Sequence, residues 1–114
     1  MGLHLTIIAG ETSGDLLGAR LIAALKRRVP DIEFSGVGGI EMTKAGIQSV
    51  FPMEDISVMG LQEILPRLKL IYRRIDETVK SISQSDTDAI IFIHSPEFAV
   101  RVAKRIRRAR ADLP

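Results

Sequence analysis

The 114-residue sequence contains no cysteine, and it has no apolar run of the roughly 18 residues that a membrane-spanning helix needs. The first absence excludes disulfide bonds and thiolate metal sites, and it is typical of a cytoplasmic protein. No basic segment precedes an apolar one at the amino terminus, and Glu11 already adds a negative charge there. We therefore expect no secretory signal peptide.

Two common nucleotide-binding motifs are also missing. Gly10 and Gly14 are spaced wrongly for the dinucleotide fingerprint G-x-G-x-x-G, and no P-loop lysine follows them. This argues against a dinucleotide-dependent oxidoreductase, an interpretation that a titration with NAD would test.

Apolar residues make up 46% of the chain, enough for one small domain or for part of a larger one. The net charge is +2, but residues 97–114 alone hold six basic and two acidic side chains. The positive charge is therefore concentrated in the carboxyl-terminal segment.

Short apolar runs alternate with stretches of helical periodicity along the whole chain. This alternation predicts an α/β fold, with a Rossmann-like parallel sheet covered by helices on both faces. The predicted strands are residues 4–9, 32–37, 48–51 and 88–93, and the predicted helices are residues 16–28, 40–45, a stretch from about 66 to 82, and one from 96 onward.

Several residues mark the ends and faces of these helices. Thr12 or Ser13 is expected to cap the first helix, with Asp15 in its first turn, and Gly46 to end the short second helix. Pro66 interrupts the apolar period of residues 59–82, which predicts a break there. In the last helix, the predicted inward and outward sets are Val100, Ala103 and Ile106 against Arg101, Lys104, Arg105 and Arg108.

Three loops follow strand ends, where parallel sheets bind ligands: residues 10–15, 36–39 and 94–96. The first loop is either an anion cradle at a helix N-terminus or simply a capped turn. Glu11 and Asp15 would repel a phosphate unless they point away or bind hydroxyl groups. The glycines of the second loop are weak evidence alone, because most such runs are turns.

His94 ends the last strand and is either a structural, hydrogen-bonded residue or a general base. Ser95 and Pro96 are favoured as the N-cap and first residue of the following helix. The helix after Pro66 is either a core-packing helix with a solvated face or a membrane-surface helix.

Four segments together resemble the lipid-A-disaccharide synthase family of glycosyltransferases, namely AGETSGDLLGARLIAAL, GVGGIEMTKAG, VMGLQEILPRL and SPEF. The resemblance implies a GT-B enzyme of two Rossmann-like domains. Such an enzyme joins UDP-2,3-diacylglucosamine to 2,3-diacylglucosamine 1-phosphate, giving the β-1′,6 disaccharide of lipid A and UDP. It also implies no cofactor, no metal site, and a peripheral position on the inner face of the cytoplasmic membrane.

The resemblance also assigns roles to residues. His94 stands where the family usually has an aspartate that is the favoured general base. The implied substrate-binding residues are Gly10, Glu11, Ser13, Gly14, Asp15, Gly38, Gly39, Ser95 and Pro96. The implied membrane contacts on an anionic surface are Met59, Leu61, Ile64, Leu65, Leu68, Ile71, Arg67, Arg73 and Arg74.

By the same resemblance, residues 1–114 are expected to be an incomplete amino-terminal, acceptor-side domain that lacks the family's nucleotide-binding domain. We expect such a piece to be inactive alone and to self-associate through an uncovered sheet edge. The alternative interpretation is a non-catalytic Rossmann-like module that binds ligands or membranes.

Overall fold

The computed structural model describes residues 2–57, 65–93 and 96–114, with the side chains of residues 96 and 97 left out. In chain order the regular elements are strand β1 (His4–Ala9), helix α1 (Thr12–Arg28), strand β2 (Glu33–Val37), helix α2 (Ile40–Lys44), helix α3 (Leu68–Ser83), strand β3 (Ala89–Ile93) and helix α4 (Pro96–Ala109). Two single 3₁₀ turns, Met53–Asp55 and Leu65–Arg67, precede α3.

The three strands form one parallel sheet in the order β2-β1-β3. Ile7 and Ile8 of the central strand point to opposite faces, because successive side chains alternate across a strand. Both are completely buried. The sheet is therefore covered on both faces, which confirms the predicted Rossmann-like α/β architecture.

The first crossover brings two backbones into close approach. Gly36 of β2 has a φ of +139° and lies so close to β1 that a Cβ atom there would come within 1.9 Å of the Ile7 carbonyl oxygen. Only glycine adopts this conformation without strain. At the end of α2, Gly46 has a φ of +119°, which confirms it as the residue that terminates this helix.

Helix α1 packs on the short helix α2 through a methionine that lies between two glycines. Met42 is completely buried. A Cβ atom on either Gly18 of α1 or Gly38 of the loop before α2 would come within 2.6 Å of its sulfur atom. The absence of side chains at these two positions makes room for Met42 and allows the helices to approach.

The predicted third strand at residues 48–51 is wrong. This segment forms only an isolated parallel bridge between Gly36 and Ser49, with one hydrogen bond from the Val50 N–H to the Gly36 carbonyl at 2.9 Å. Pro52 follows directly, and a proline has no N–H with which to continue a ladder. The chain instead turns into the 3₁₀ turn Met53–Asp55.

The predicted inward face of the last helix is wrong at two of its three positions. Val100 is 51% exposed and Ala103 is also exposed, whereas Ile106 is buried as predicted. The buried row of α4 is instead Phe98, Val102 and Ile106, at a spacing of four residues. Phe98 packs edge-to-face on Phe51 with ring centres 6.1 Å apart, and this contact sets the rotation of the helix. The basic residues Arg101, Lys104, Arg105 and Arg108 are exposed, as predicted.

Candidate functional site

The carboxyl ends of the strands meet at one edge of the sheet. Residues that follow β1 and β2 begin the loops 10–11 and 38–39, and Ile93 is the last residue of β3. The backbone N–H of Gly10 donates a hydrogen bond to the Ile93 carbonyl oxygen at 3.3 Å, which joins the ends of β1 and β3. Ligands of open parallel sheets bind outside this edge.

The Asp15 carboxylate joins two of the predicted loops. It is only 3% exposed. Its Oδ1 accepts hydrogen bonds from the backbone N–H groups of Gly39 at 2.8 Å and Met42 at 2.9 Å, and its Oδ2 accepts one from Glu41 at 2.9 Å. Asp15 therefore satisfies the first N–H groups of α2, which have no partners within that helix. A carboxylate with this burial and these partners fixes the shape of the glycine loop.

The glycines of both loops make close packing possible. A Cβ atom on Gly14 would lie 3.1 Å from the Ile93 carbonyl oxygen, and one on Gly39 would lie 2.8 Å from Oδ2 of Asp15. A side chain at either of these glycines would therefore project into the protein and not into solvent. Their conservative replacement by alanine would push α1 from the sheet end or displace the Asp15 carboxylate.

Glu11 and Ser13 form the more accessible part of the first loop. Ser13 donates a hydrogen bond from Oγ to Oε1 of Glu11 at 2.9 Å. Glu11 occupies the N-cap position in an extended conformation, and no side-chain cap bond forms at this helix end. The predicted cap by Thr12 or Ser13 is therefore wrong: both residues already lie inside the helix, and the serine hydroxyl turns toward the glutamate. Ser13 is exposed and Glu11 half-buried, so these two side chains can reach a ligand at the edge.

An open groove of about 580 Å³ adjoins the second loop. Gly38, Gly39 and Ile40 form one side, and residues 49–54 form the other. Ser49 holds the two sides together, because its Oγ accepts the Gly38 N–H at 3.1 Å and donates to the Phe51 carbonyl at 2.6 Å. Ser49 was not predicted from the sequence, since a lone serine before an apolar pair has no distinctive pattern.

The third predicted loop is only partly covered by the structure. His94 and Ser95 lie outside the described residues, and Pro96 is the first residue of α4. In the chain, the two residues occupy the step from the end of β3 to the start of α4.

In the described part of the predicted membrane-contact segment, some side chains are exposed and others contact the rest of the protein. Leu65 is 60% exposed and Leu68 is 40% exposed, and Arg73 is also exposed. Ile71 is half-buried and packs against the core. Met59, Leu61 and Ile64 lie outside the described residues. None of the described helices combines the length and apolar character needed to cross a lipid bilayer.

Arg74 and Arg67 of this segment have partners within the protein. The Arg74 guanidinium pairs with Asp55 at 2.7 Å and with Glu77 at 2.8 Å, and its carbon lies 5.2 Å from the ring centre of Phe51. Partial burial acts to lower the pKa of Arg74, but its hydrogen bonds to Asp55 and Glu77 outweigh this and raise the pKa above its ordinary value. Arg67 lies 3.7 Å from the same Asp55. Arg74 thus connects α3 to Asp55 and to Phe51, which lines the groove.

The comparisons with known proteins agree with one another. The profile of the family described as "Lipid-A-disaccharide synthetase" matches residues 5–114. The lipid-A-disaccharide synthase of Rhodospirillum centenum is 48% identical over 98% of this chain, and that of Pseudomonas aeruginosa is 45% identical over 95%. The enzyme of Granulibacter bethesdensis is 48% identical over 89%. The chain spans only 28%, 29% and 26% of the lengths of these three curated relatives.

Proposed function

Because the chain belongs to the lipid-A-disaccharide synthase family, we propose that it forms the amino-terminal, acceptor-side part of a GT-B glycosyltransferase of lipid A synthesis. The reaction joins UDP-2,3-diacylglucosamine to 2,3-diacylglucosamine 1-phosphate. The acceptor 6-hydroxyl oxygen bonds to the anomeric carbon of the donor sugar, UDP leaves with the electron pair of the broken bond, and a base takes the hydroxyl proton. The observation that carries the proposal is the family match over nearly the whole chain at 48% identity.

The edge of the sheet supplies groups suited to a sugar substrate. Glu11 and Ser13 present a carboxylate and a hydroxyl 2.9 Å apart at the accessible start of α1. Such a pair can accept hydrogen bonds from neighbouring sugar hydroxyls, whereas a carboxylate there is a poor partner for a phosphate. We assign these two residues to sugar hydroxyls. Asp15 acts instead through the loop that it holds.

The remaining substrate contacts are assigned to the backbone around the same edge. Gly14, Gly38 and Gly39 shape the main chain at this edge by packing closely on Ile93, Met42 and Asp15. Gly10 follows β1 directly, and Ser95 and Pro96 follow β3 in the sequence. We assign the general base to His94, which follows β3 directly and replaces the family's aspartate. A neutral imidazole can accept the proton of the attacking hydroxyl.

We place the enzyme on the inner face of the cytoplasmic membrane, where its acylated substrates reside. Leu65 in the 3₁₀ turn and Leu68 at the start of α3 are both exposed, and so are Lys69 and Arg73 of the first turns of α3. Apolar side chains flanked by basic ones suit the interface of an anionic bilayer. Met59, Leu61 and Ile64 extend the predicted contact along the chain.

The test is a transfer assay with the full-length polypeptide that contains this chain. The assay follows UDP release and disaccharide formation from the two acylated substrates. Glu11→Gln and Ser13→Ala should each raise the acceptor KM, because each removes one hydrogen-bonding group from the sugar site. Thr12→Ala is the matched control, since Thr12 is exposed in the same loop and has no assigned role. A folded full-length protein without transferase activity would overturn the proposal and favour the non-catalytic binding module.

A further inference from the structure

A second group of polar side chains lies at the opposite, amino-terminal edge of the sheet. His4 is the first residue of β1, Glu33 is the first residue of β2, and Asp86 precedes β3 by three positions. One nitrogen or oxygen atom from each of these side chains lies within 4.8 Å of those of the other two. The first residues of β1 and β2 and the segment before β3 thus each contribute one potential metal ligand to the same place.

The imidazole of His4 is held in a defined orientation. Its Nδ1 lies 2.6 Å from Oδ1 of Asp86, and its Nε2 lies 2.9 Å from Oγ of Ser35. At this distance Nδ1–H donates to the Asp86 carboxylate. A metal ion at Nδ1 would take the place of this proton, and the Ser35 hydroxyl would then accept the Nε2 proton. Metal-binding histidines are typically oriented in this way by a hydrogen bond from the other ring nitrogen.

The serine that orients the ring is itself fixed. Ser35 Oγ lies 3.2 Å from the Thr6 hydroxyl, which donates to the Thr87 hydroxyl at 2.9 Å. Thr6 and Thr87 are both buried. This hydroxyl network extends from the half-buried imidazole into the interior, so the ring cannot rotate without breaking it.

Several carboxylates gather around this imidazole, and among the basic side chains Arg110 also acts on Asp86. Within the described ranges, Glu33 forms no ion pair with a basic side chain. A third carboxylate, that of Asp88, accepts the backbone N–H of His4 at 2.9 Å. Negative charge gathered around one imidazole attracts a cation.

We propose that His4, Glu33 and Asp86 form a binding site for a divalent transition-metal ion, with Zn²⁺ as the best-matched ion. One imidazole and two carboxylates are ligands that Zn²⁺ accepts, and water can complete the coordination. Neighbouring ligands of a tetrahedral Zn²⁺ are roughly 3.3 Å apart for bonds of about 2.0–2.1 Å. The 2.6 Å contact of His4 with Asp86 must therefore lengthen, and the Asp86 side chain, at 85% exposure, can withdraw by that amount.

The site lies at the sheet edge away from the proposed substrate loops. The metal-site proposal can therefore be tested independently of the proposed reaction. A bound ion would connect the starts of β2, β1 and β3 in their order across the sheet. The ion would therefore have a structural role. Because it would bind the folded state and not the unfolded chain, it would raise the free energy of unfolding.

The experiment measures Zn²⁺ binding to the 114-residue chain by titration calorimetry, together with the midpoint of thermal unfolding at increasing ZnCl₂ concentrations. Glu33→Gln and Asp86→Asn each replace one exposed ligand with a neutral group of the same shape. Asp31→Asn is the matched control on an exposed carboxylate nearby in sequence. His94→Asn removes the only other histidine in the sequence and so separates binding at His4 from binding at the other end of β3.

The expected result is one Zn²⁺ per chain, with affinity reduced at least tenfold by Glu33→Gln and by Asp86→Asn and unchanged by the two controls. The unfolding midpoint should rise with Zn²⁺ in the parent and the controls, and much less in the two ligand variants. The proposal is overturned if no saturable binding occurs at millimolar Zn²⁺. It is equally overturned if the ligand variants bind as tightly as the parent, or if His94→Asn alone abolishes binding.

Discussion

The carboxylate of Asp15, in the first turn of α1, accepts the backbone N–H of Gly39 at 2.8 Å. This bond and the two from Glu41 and Met42 tie the loop after β1 to the loop after β2. The two segments that the sequence offered as separate ligand loops are therefore one structural unit. Changes at Asp15 should alter the glycine loop even though the carboxylate is buried away from solvent.

Asp15→Asn should destabilise the protein. The amide oxygen of asparagine can still serve Gly39 and Met42, but its NH₂ group would then face the Glu41 N–H. A buried donor left without an acceptor costs about 1–3 kcal/mol. Urea unfolding of the variant against the parent measures this loss. Asp31→Asn, on an exposed carboxylate, should change the unfolding free energy by less than about 0.5 kcal/mol. An Asp15→Asn protein as stable as the parent would show that these hydrogen bonds contribute nothing.

Val102→Ala should destabilise the protein by about 1.5–3 kcal/mol, because Val102 is completely buried in α4 and the change removes two methyl groups. Val100→Ala is the matched control two residues away, and it should be close to neutral because Val100 is exposed. Thermal or urea unfolding of the two variants decides between the observed helix face and the one predicted from sequence. The opposite order of effects would support the predicted face.

Leu65→Ser combined with Leu68→Ser should weaken binding to anionic vesicles without lowering the unfolding midpoint. Both leucines are exposed, so the serines remove little from the core. The loss of two apolar side chains from the bilayer interface should reduce the partition coefficient on the order of tenfold or more. Vesicle co-sedimentation measures it, with circular dichroism for stability.

The control for this pair is Leu16→Ser with Leu17→Ser, because these leucines are also exposed and adjacent but lie on α1. The control should keep vesicle binding. If both pairs weaken binding equally, the contact is a general effect of surface apolarity. If the test pair instead melts the protein, its leucines belong to the core.

His94→Ala in the full-length enzyme should reduce kcat by about 10²–10⁴-fold with little change in donor affinity, the usual contribution of a positioned base. His94→Asp introduces the aspartate that the family resemblance implies at this position, and it should keep or increase activity. It should also move the acid limb of the pH–rate profile downward, since aspartate has the lower reference pKa. An alanine variant as active as the parent would remove His94 from the mechanism.

Local sequence signals predicted most of the fold. Apolar runs and glycine or proline boundaries placed three strands and the main helices correctly, because burial on both faces of a parallel sheet imposes these patterns. The face of α4 was not predictable in this way. The rows Val100–Ala103–Ile106 and Phe98–Val102–Ile106 both fit helical periodicity, and the choice depends on the contact of Phe98 with Phe51, 47 residues away.

The location of the candidate site was predictable from the sequence, but the hydrogen-bond partners of its residues were not. Strand ends in a parallel sheet must meet at one edge, so the loops could be placed together from their order alone. The role of Asp15 depends on partners 24 to 27 residues further along the chain. The metal-ligand cluster was missed for the same reason, since His4 and Asp86 are 82 residues apart and form no motif.

The packing of Met42 against Gly18 and Gly38 has a consequence for how homologous sequences vary. Because a Cβ atom at either glycine would press on the methionine sulfur, the three positions share one fixed volume. An alanine at position 18 or 38 should then be accompanied by a smaller or differently branched residue at position 42. Substitutions at these sites should be correlated in an alignment of the family, with the single exchanges rarer than the paired ones.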